Sequence, residues 1–161
     1  MELIVTDYSN TDHATDIVEL LNEYATDPMG GGEPLPEFAK ENLALELSKL
    51  PHAFSVLCYV DGQPAGLANC FEAFSTFDCK PLINIHDLVV RSNFRGRGIS
   101  QRLLNKIEET ARDKGCGKVT LEVLEGNKTA QKAYLKYGFE PYQLDSEHGN
   151  ALFWKKDLTG A

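Results

Sequence analysis

The sequence is short of the residues that build metal and redox centres. Its four cysteines, Cys58, Cys70, Cys79 and Cys116, form no Cys-x-x-Cys pair. No histidine stands at metal-ligand spacing from them, so no metal site is expected. Cys58 and Cys70 lie in apolar runs and read as small core residues. Long apolar stretches are missing too: none approaches the roughly 20 residues of a membrane span. The opening Met1-Glu2-Leu3-Ile4-Val5-Thr6 has no basic leader and no cleavage-like site, so a cytoplasmic location without disulfides is the expectation. Positive charge is scarce, with 16 Lys and Arg against 24 Asp and Glu and a net charge of −8. That balance disfavours a nucleic-acid partner, because phosphate contacts need a basic face. It suits a cationic substrate such as an amine. Repeats, low-complexity tracts and linkers are absent, and 161 residues is the length of one domain, residues 1–161.

What is present is a clear order of elements. Leu3 to Tyr8 alternates as an opening strand. Asn10 or Asp12 can cap a helix whose stripe is Ile17, Val18, Leu20, Leu21 and Tyr24. Residues Asp27 to Pro34, with three consecutive glycines, break regular structure and suggest a flexible loop near a substrate mouth. No Gly-Lys-Ser/Thr follows, so this is not a nucleotide loop. A second helix runs from about Pro36 to Leu50. Phe54 to Val60 and Pro64 to Phe74 are strands joined by the turn Asp61-Gly62. Ile83 to Val90 is a strand, Gly98 to Lys114 a helix, Lys118 to Val123 a strand and Asn127 to Tyr137 a helix. Phe139 to Leu144 and Ala151 to Lys156 look like a closing strand pair. This order predicts an α/β mixed sheet with helices on both faces.

One basic island interrupts the acidic chain. Arg91, Arg95, Arg97, Arg102 and Lys106 fall between Arg91 and Ile107 with no acid among them. They flank a strand–loop–helix passage, Arg95-Gly96-Arg97-Gly98-Ile99-Ser100. The first turn of a helix presents unpaired N–H groups and partial positive charge. Glycines at 96 and 98 let backbone approach an anion closely. A diphosphate there would collect charge-assisted hydrogen bonds, each worth roughly 1.5–3 kcal/mol. The dinucleotide fingerprint needs a third glycine that this loop lacks. Taken alone, the loop indicates a phosphate-bearing ligand.

The run Asp87-Leu88-Val89-Val90-Arg91-Ser92-Asn93-Phe94-Arg95-Gly96-Arg97-Gly98-Ile99-Ser100 resembles the signature of the GNAT N-acetyltransferase superfamily, Arg/Gln-x-x-Gly-x-Gly/Ala after a strand ending in Leu-x-Val. Ser100 departs from the usual Gly or Ala. Downstream, Asn127…Ala130…Tyr134-x-x-x-Gly138-Phe139 resembles a second family element. The resemblance covers about 84–140 and implies an acyl-CoA N-acyltransferase fold, with a mostly antiparallel sheet splayed at the cofactor site. It implies acetyl-CoA as cofactor, with no metal. Leu88, Val89 and Val90 would pair with the pantetheine arm. Backbone from Arg95 through Gly96, Arg97, Gly98, Ile99 and Ser100 to Gln101 would hold the diphosphate. Asn127 would bond the pantetheine or cap its helix, and Ala130 would line the same cofactor.

The resemblance also implies chemistry. Tyr134 would be the general acid that protonates the leaving thiolate, or else a packed aromatic. In the diamine and polyamine branch a Glu often precedes the Asp-Leu of the strand. Here that position is His86, which titrates near neutrality and can act as base. By the period of two, His86 shares a face with Leu88 and Val90, and Asp87 points away. A water chain ending on Glu72 is the rival, and both Glu72 and His86 are candidate substrate contacts. Phe74-Ser75-Thr76-Phe77 also resembles that branch. The implied activity is acetyl transfer to a primary amine of a small molecule (polyamine, diamine or amino-acid-like) by direct attack in a ternary complex. A protein or peptide acceptor and a non-catalytic acetyl-CoA binding module stay open. Homodimers are common among similar proteins.

Overall fold

The computed structural model describes residues 1–158. The chain divides into two compact units at Asn127/Lys128. The first runs β1 (Glu2–Val5), α1 (Thr11–Thr26), α2 (Glu37–Ser48), β2 (Ala53–Val60), β3 (Gln63–Ser75), β4 (Lys80–Val90), α3 (Ile99–Asp113) and β5 (Lys118–Leu121). The strands form one five-stranded sheet in sequence order. Pairs from β1 to β4 are antiparallel, and β4 pairs β5 in parallel. This is the expected mixed, mostly antiparallel sheet.

Local chemistry sets the elements. The Asn10 side chain caps α1, accepting from the N–H groups of Asp12 and His13. Asp61 and Gly62 both take positive φ, the turn that a tight right-twisted hairpin demands. The glycine-rich stretch is more ordered than its composition suggests. Pro28–Gly30 forms a 3₁₀ turn whose first N–H groups are met by Asp27. A Cβ on Gly30 would stand 2.0 Å from the Tyr24 carbonyl oxygen, so only glycine fits there.

Helices cover both faces. Ile17 and Leu20 of α1 pack with Leu57, Leu67 and Val89 on one side. The neighbouring Gly66 opens the other side: a Cβ there would lie 2.7 Å from Ile99 Cγ2. That absence of a side chain lets the start of α3 sit against β3. Ile99, Leu103, Leu104, Ile107 and Ala111 are buried along α3. Each large member contributes roughly 1.5–3 kcal/mol through removal from water.

The second unit contains α4 (Lys128–Tyr137) and a tail. The tail corrects one expectation. Phe139 to Leu144 and Ala151 to Lys156 do not form a strand pair; the tail's β contact is an isolated bridge, Gln143 with Asn150. Leu152, Phe153 and Trp154 are exposed. A two-stranded pair by itself is marginally stable in water. Among the described residues, no helix is long and apolar enough to cross a membrane.

The thiols give a test of this packing. Burial pushes Cys70 from its ordinary 9.0 up to about 12, and raises Cys58 as well. Cys79 is exposed and Cys116 half-buried. An aromatic disulfide reagent at pH 8 should modify Cys79 first, then Cys116, and reach Cys58 and Cys70 only on denaturation. The unfolded Cys70 thiol ionises first, so its contribution to stability is complete below about pH 9 and declines as pH rises toward 12. Urea midpoints measured across that window should fall.

Candidate active site

The candidate site is built on the outer half of β4. Along one edge, β4 pairs with β3 from Lys80 to Val90. Along the other, it pairs with β5 only from Leu82 to Ile85. Past Ile85 the two parallel strands part, and the residues through Val90 continue with no β5 partner. Leu88, Val89 and Val90 therefore lie on the splayed stretch, as the sequence resemblance implied. Their outer backbone edge is suited to an extended polar ligand such as a pantetheine arm.

The strand leads into Arg91, a 3₁₀ turn at Ser92–Phe94, and then α3. Gly98 occupies the N-cap with φ 74 and ψ 17, and no side chain caps the helix. Gly96 is also left-handed, with φ 78. The first intrahelical bond is donated by Arg102 N–H to the Gly98 carbonyl. Ile99 and Ser100 thus lie in a helix start with no side-chain acceptor, an anion-binding arrangement. A Cβ at Gly96 or Gly98 would meet nothing within 4 Å, so left-handed backbone is what demands glycine at both.

The basic island is less uniform than its sequence. Arg91 turns away to α1, where its guanidinium meets Glu19 at 2.5 Å and Glu23 at 2.9 Å. Lys106 pairs with Glu109. Arg97 lies over the buried Phe94 ring, 5.3 Å from its centroid. Arg95 and Arg97 remain exposed beside the helix start.

His86 departs from the alternating pattern. Asn69 pairs with Asp87 and Cys70 with Ile85, so His86 is the extra residue of a β-bulge. The bulge brings His86 and Asp87 to one side of the sheet, where His86 Nδ1 lies 3.2 Å from Asp87 Oδ2. The His86 ring meets Phe71 edge-on at 5.8 Å, and His52 contacts the same Phe71. The expectation that His86 shares the face of Leu88 and Val90, with Asp87 opposite, is thereby corrected. A strict period of two cannot run through an inserted residue. His86 is two-thirds exposed and Asp87 mostly covered.

Glu72 is elsewhere. It pairs across the sheet with Ile83, past the bulge, and meets Lys114 at the end of α3 at 3.5 Å. His86 is thus brought to Asp87 and Phe71, and Glu72 to α3. Sequence reading missed the partnership of Asp87 and the contribution of Asn69, whose amide donates to Asp87 Oδ2 at 3.0 Å. Polar residues set within apolar strand sequences, Ser55, Asn69 and Asp87, were the available signal.

In the second unit, the motif around Tyr134 has a local cause. Gly138, with φ 114, ends α4 in a left-handed step. Gly138 N–H bonds to the Tyr134 and Leu135 carbonyls, and Phe139 N–H bonds back to the Tyr134 carbonyl at 3.0 Å. That fold-back sets the Phe139 ring against Tyr134, with centroids 5.8 Å apart. Asn127 immediately precedes α4, and Ala130 lies in its first turn.

Comparison with known proteins agrees with this architecture. The chain is 38% identical over 89 residues to an uncharacterized N-acetyltransferase of Methanocaldococcus jannaschii, covering 55% of this chain and 39% of that protein. It is 29% identical over 123 residues to thialysine N-epsilon-acetyltransferase of Caenorhabditis elegans, covering 76% of this chain and 74% of the relative. The fold matches the structure of AAC(6')-Iy in complex with a bisubstrate analog at TM-score 0.77 and 20% identity, over 97% of both chains. The Acetyltransferase (GNAT) family profile matches residues 15–139, which include the parted strands, the glycine-started helix and the Tyr134 element, and the chain belongs to that family.

Proposed function

We propose that the protein transfers the acetyl group of acetyl-CoA to a primary amine of a small molecule, a polyamine, diamine or amino-acid-like compound. The observation that carries the reading is the β4 edge left unpaired beyond Ile85, leading into a helix start with no side-chain cap. Backbone of Leu88 to Val90 would hold the pantetheine, and backbone from Arg95 to Gln101 the diphosphate, with Asn127 and Ala130 completing the cofactor contacts. Acetyl-CoA supplies the activated acetyl thioester. The family match continues through Asn127/Lys128, which supports reading residues 1–161 as one N-acetyltransferase domain.

The remaining groups move protons. An ammonium must lose one before it can attack, and His86 would take it. Asp87 Oδ2 lies 3.2 Å from its Nδ1 and would hold the ring in place. Backbone N–H groups of the Leu88–Val90 edge would donate to the polarised carbonyl oxygen. Tyr134 would give its hydroxyl proton to the departing thiolate. The thialysine acceptor named for the Caenorhabditis elegans relative and the acidic balance of this chain support a small cationic acceptor.

A panel of diamines, polyamines, amino acids and short peptides, assayed with acetyl-CoA by release of free thiol, tests the proposal directly. Turnover should concentrate in small amines; peptides alone turning over would move the acceptor class. Gly98→Val forces a β-branched residue into left-handed backbone, at a cost of about 1–2 kcal/mol. Calorimetry should show coenzyme A binding weakened about tenfold. His86→Gln should lower kcat about 10²-fold or more, with coenzyme A affinity kept. Full turnover in Tyr134→Phe would remove the acid assignment.

A further inference from the structure

A row of polar side chains crosses the core side of the sheet and ends at His86. It begins at Tyr8, whose hydroxyl lies 2.8 Å from Ser55 Oγ. Ser55 Oγ donates to Asn69 Oδ1 at 2.6 Å. Asn69 Nδ2 donates to Asp87 Oδ2 at 3.0 Å. That same Oδ2 faces His86 Nδ1 at 3.2 Å. Ser55 is fully buried and Asn69 is 4% exposed. Buried polar groups are costly unless paired, so a row of them within an apolar sheet calls for a reason.

Proton counting gives the row a direction. The Asn69 amide nitrogen has only protons to offer a carboxylate, which leaves its oxygen toward Ser55. Ser55 has a single hydroxyl proton, and Asn69 takes it. The Tyr8 hydroxyl must therefore donate to Ser55. Burial raises the Tyr8 phenol above its ordinary range, which keeps it a donor through neutral pH. Every donor points toward Asp87. The carboxylate oxygen so anchored is the one beside Nδ1 of His86.

We infer that Asn69, backed by Ser55 and Tyr8, is a positioning residue that holds Asp87 so that neutral His86 carries its proton on Nδ1 and presents the lone pair of Nε2. A carboxylate 3.2 Å from Nδ1 favours the proton on that nitrogen over the other. The β-bulge is what makes the pairing available, because an unbroken strand would send adjacent side chains to opposite faces. This deepens the proposed function: it rests on His86 as the base, and assigns the parts that would prepare it.

The test reads the ring directly and needs no substrate. Long-range ¹H–¹⁵N spectra of the histidines at a pH where the ring is neutral distinguish the two tautomers, and loss of signals in His86→Gln identifies His86. The wild type should hold the Nδ1–H form. In Asn69→Leu the Nδ1–H to Nε2–H ratio should fall about tenfold, the scale of one charge-assisted contact. Ser55→Ala and Tyr8→Phe, which leave Asp87 and His86 in place, should shift it in the same direction by less, and serve if Asn69→Leu does not fold. A wild-type His86 in the Nε2–H form would overturn the inference. So would an unchanged ratio in all folded variants. Full activity in His86→Gln would remove the base assignment while leaving the tautomer result to stand on its own.

Discussion

Backbone hydrogen bonding must be satisfied along both edges of a strand, and β4 meets that demand unequally. Its inner edge is matched by β3 along its whole length, while its outer edge is matched by β5 only as far as Ile85. A parallel neighbour arrives through a helical crossover, and here that crossover is α3, packed hard against β3 because Gly66 has no side chain. The parted strands leave an open polar edge next to an uncapped helix start. A ligand with an amide-bearing arm and a charged diphosphate is complementary to both features at once.

The same strand carries a second irregularity, and the two are neighbours. The bulge at His86 lies one residue beyond the last β5 pair. It changes which residues look into the α1 side of the sheet and which into the α3 side. Asp87 becomes the end of the buried row from Ser55 and Asn69, and His86 reaches past it to solvent and to Phe71. Tyr24 on α1 feels the Asp87 charge, which, after burial, helps to raise its phenol. His86 thus sits between a hydrogen-bonded polar row on one side and an accessible surface on the other.

Much of this could be read from residues alone. The helices, the hairpin turn and strands β1 to β5 followed from periodicity, Asn10 and Asp61-Gly62, because these signals act over a few residues. The turn at Gly96 and Gly98 followed from glycines whose left-handed backbone is a local property. The Tyr134-x-x-x-Gly138-Phe139 element likewise reflects a helix end that its own glycine creates. The closing strand pair failed because apolar residues describe a tendency to pair, and a two-stranded pair by itself is marginal.

Sequence by itself thus determined the family, the elements as far as α4 and the helix that starts at Gly98, since each rests on short-range chemistry. Tertiary structure decided where the charges around that helix start go. Arg91 belongs to the basic island in sequence and to Glu19 and Glu23 in space. Glu72 and His86, rivals when read along the chain, are separated by the bulge, one tied to Lys114 and the other to Asp87. Asn69 and Ser55 gained their significance only once strands distant in sequence were laid side by side. A bulge is a one-residue mismatch between two strands, and no property of either strand alone records it.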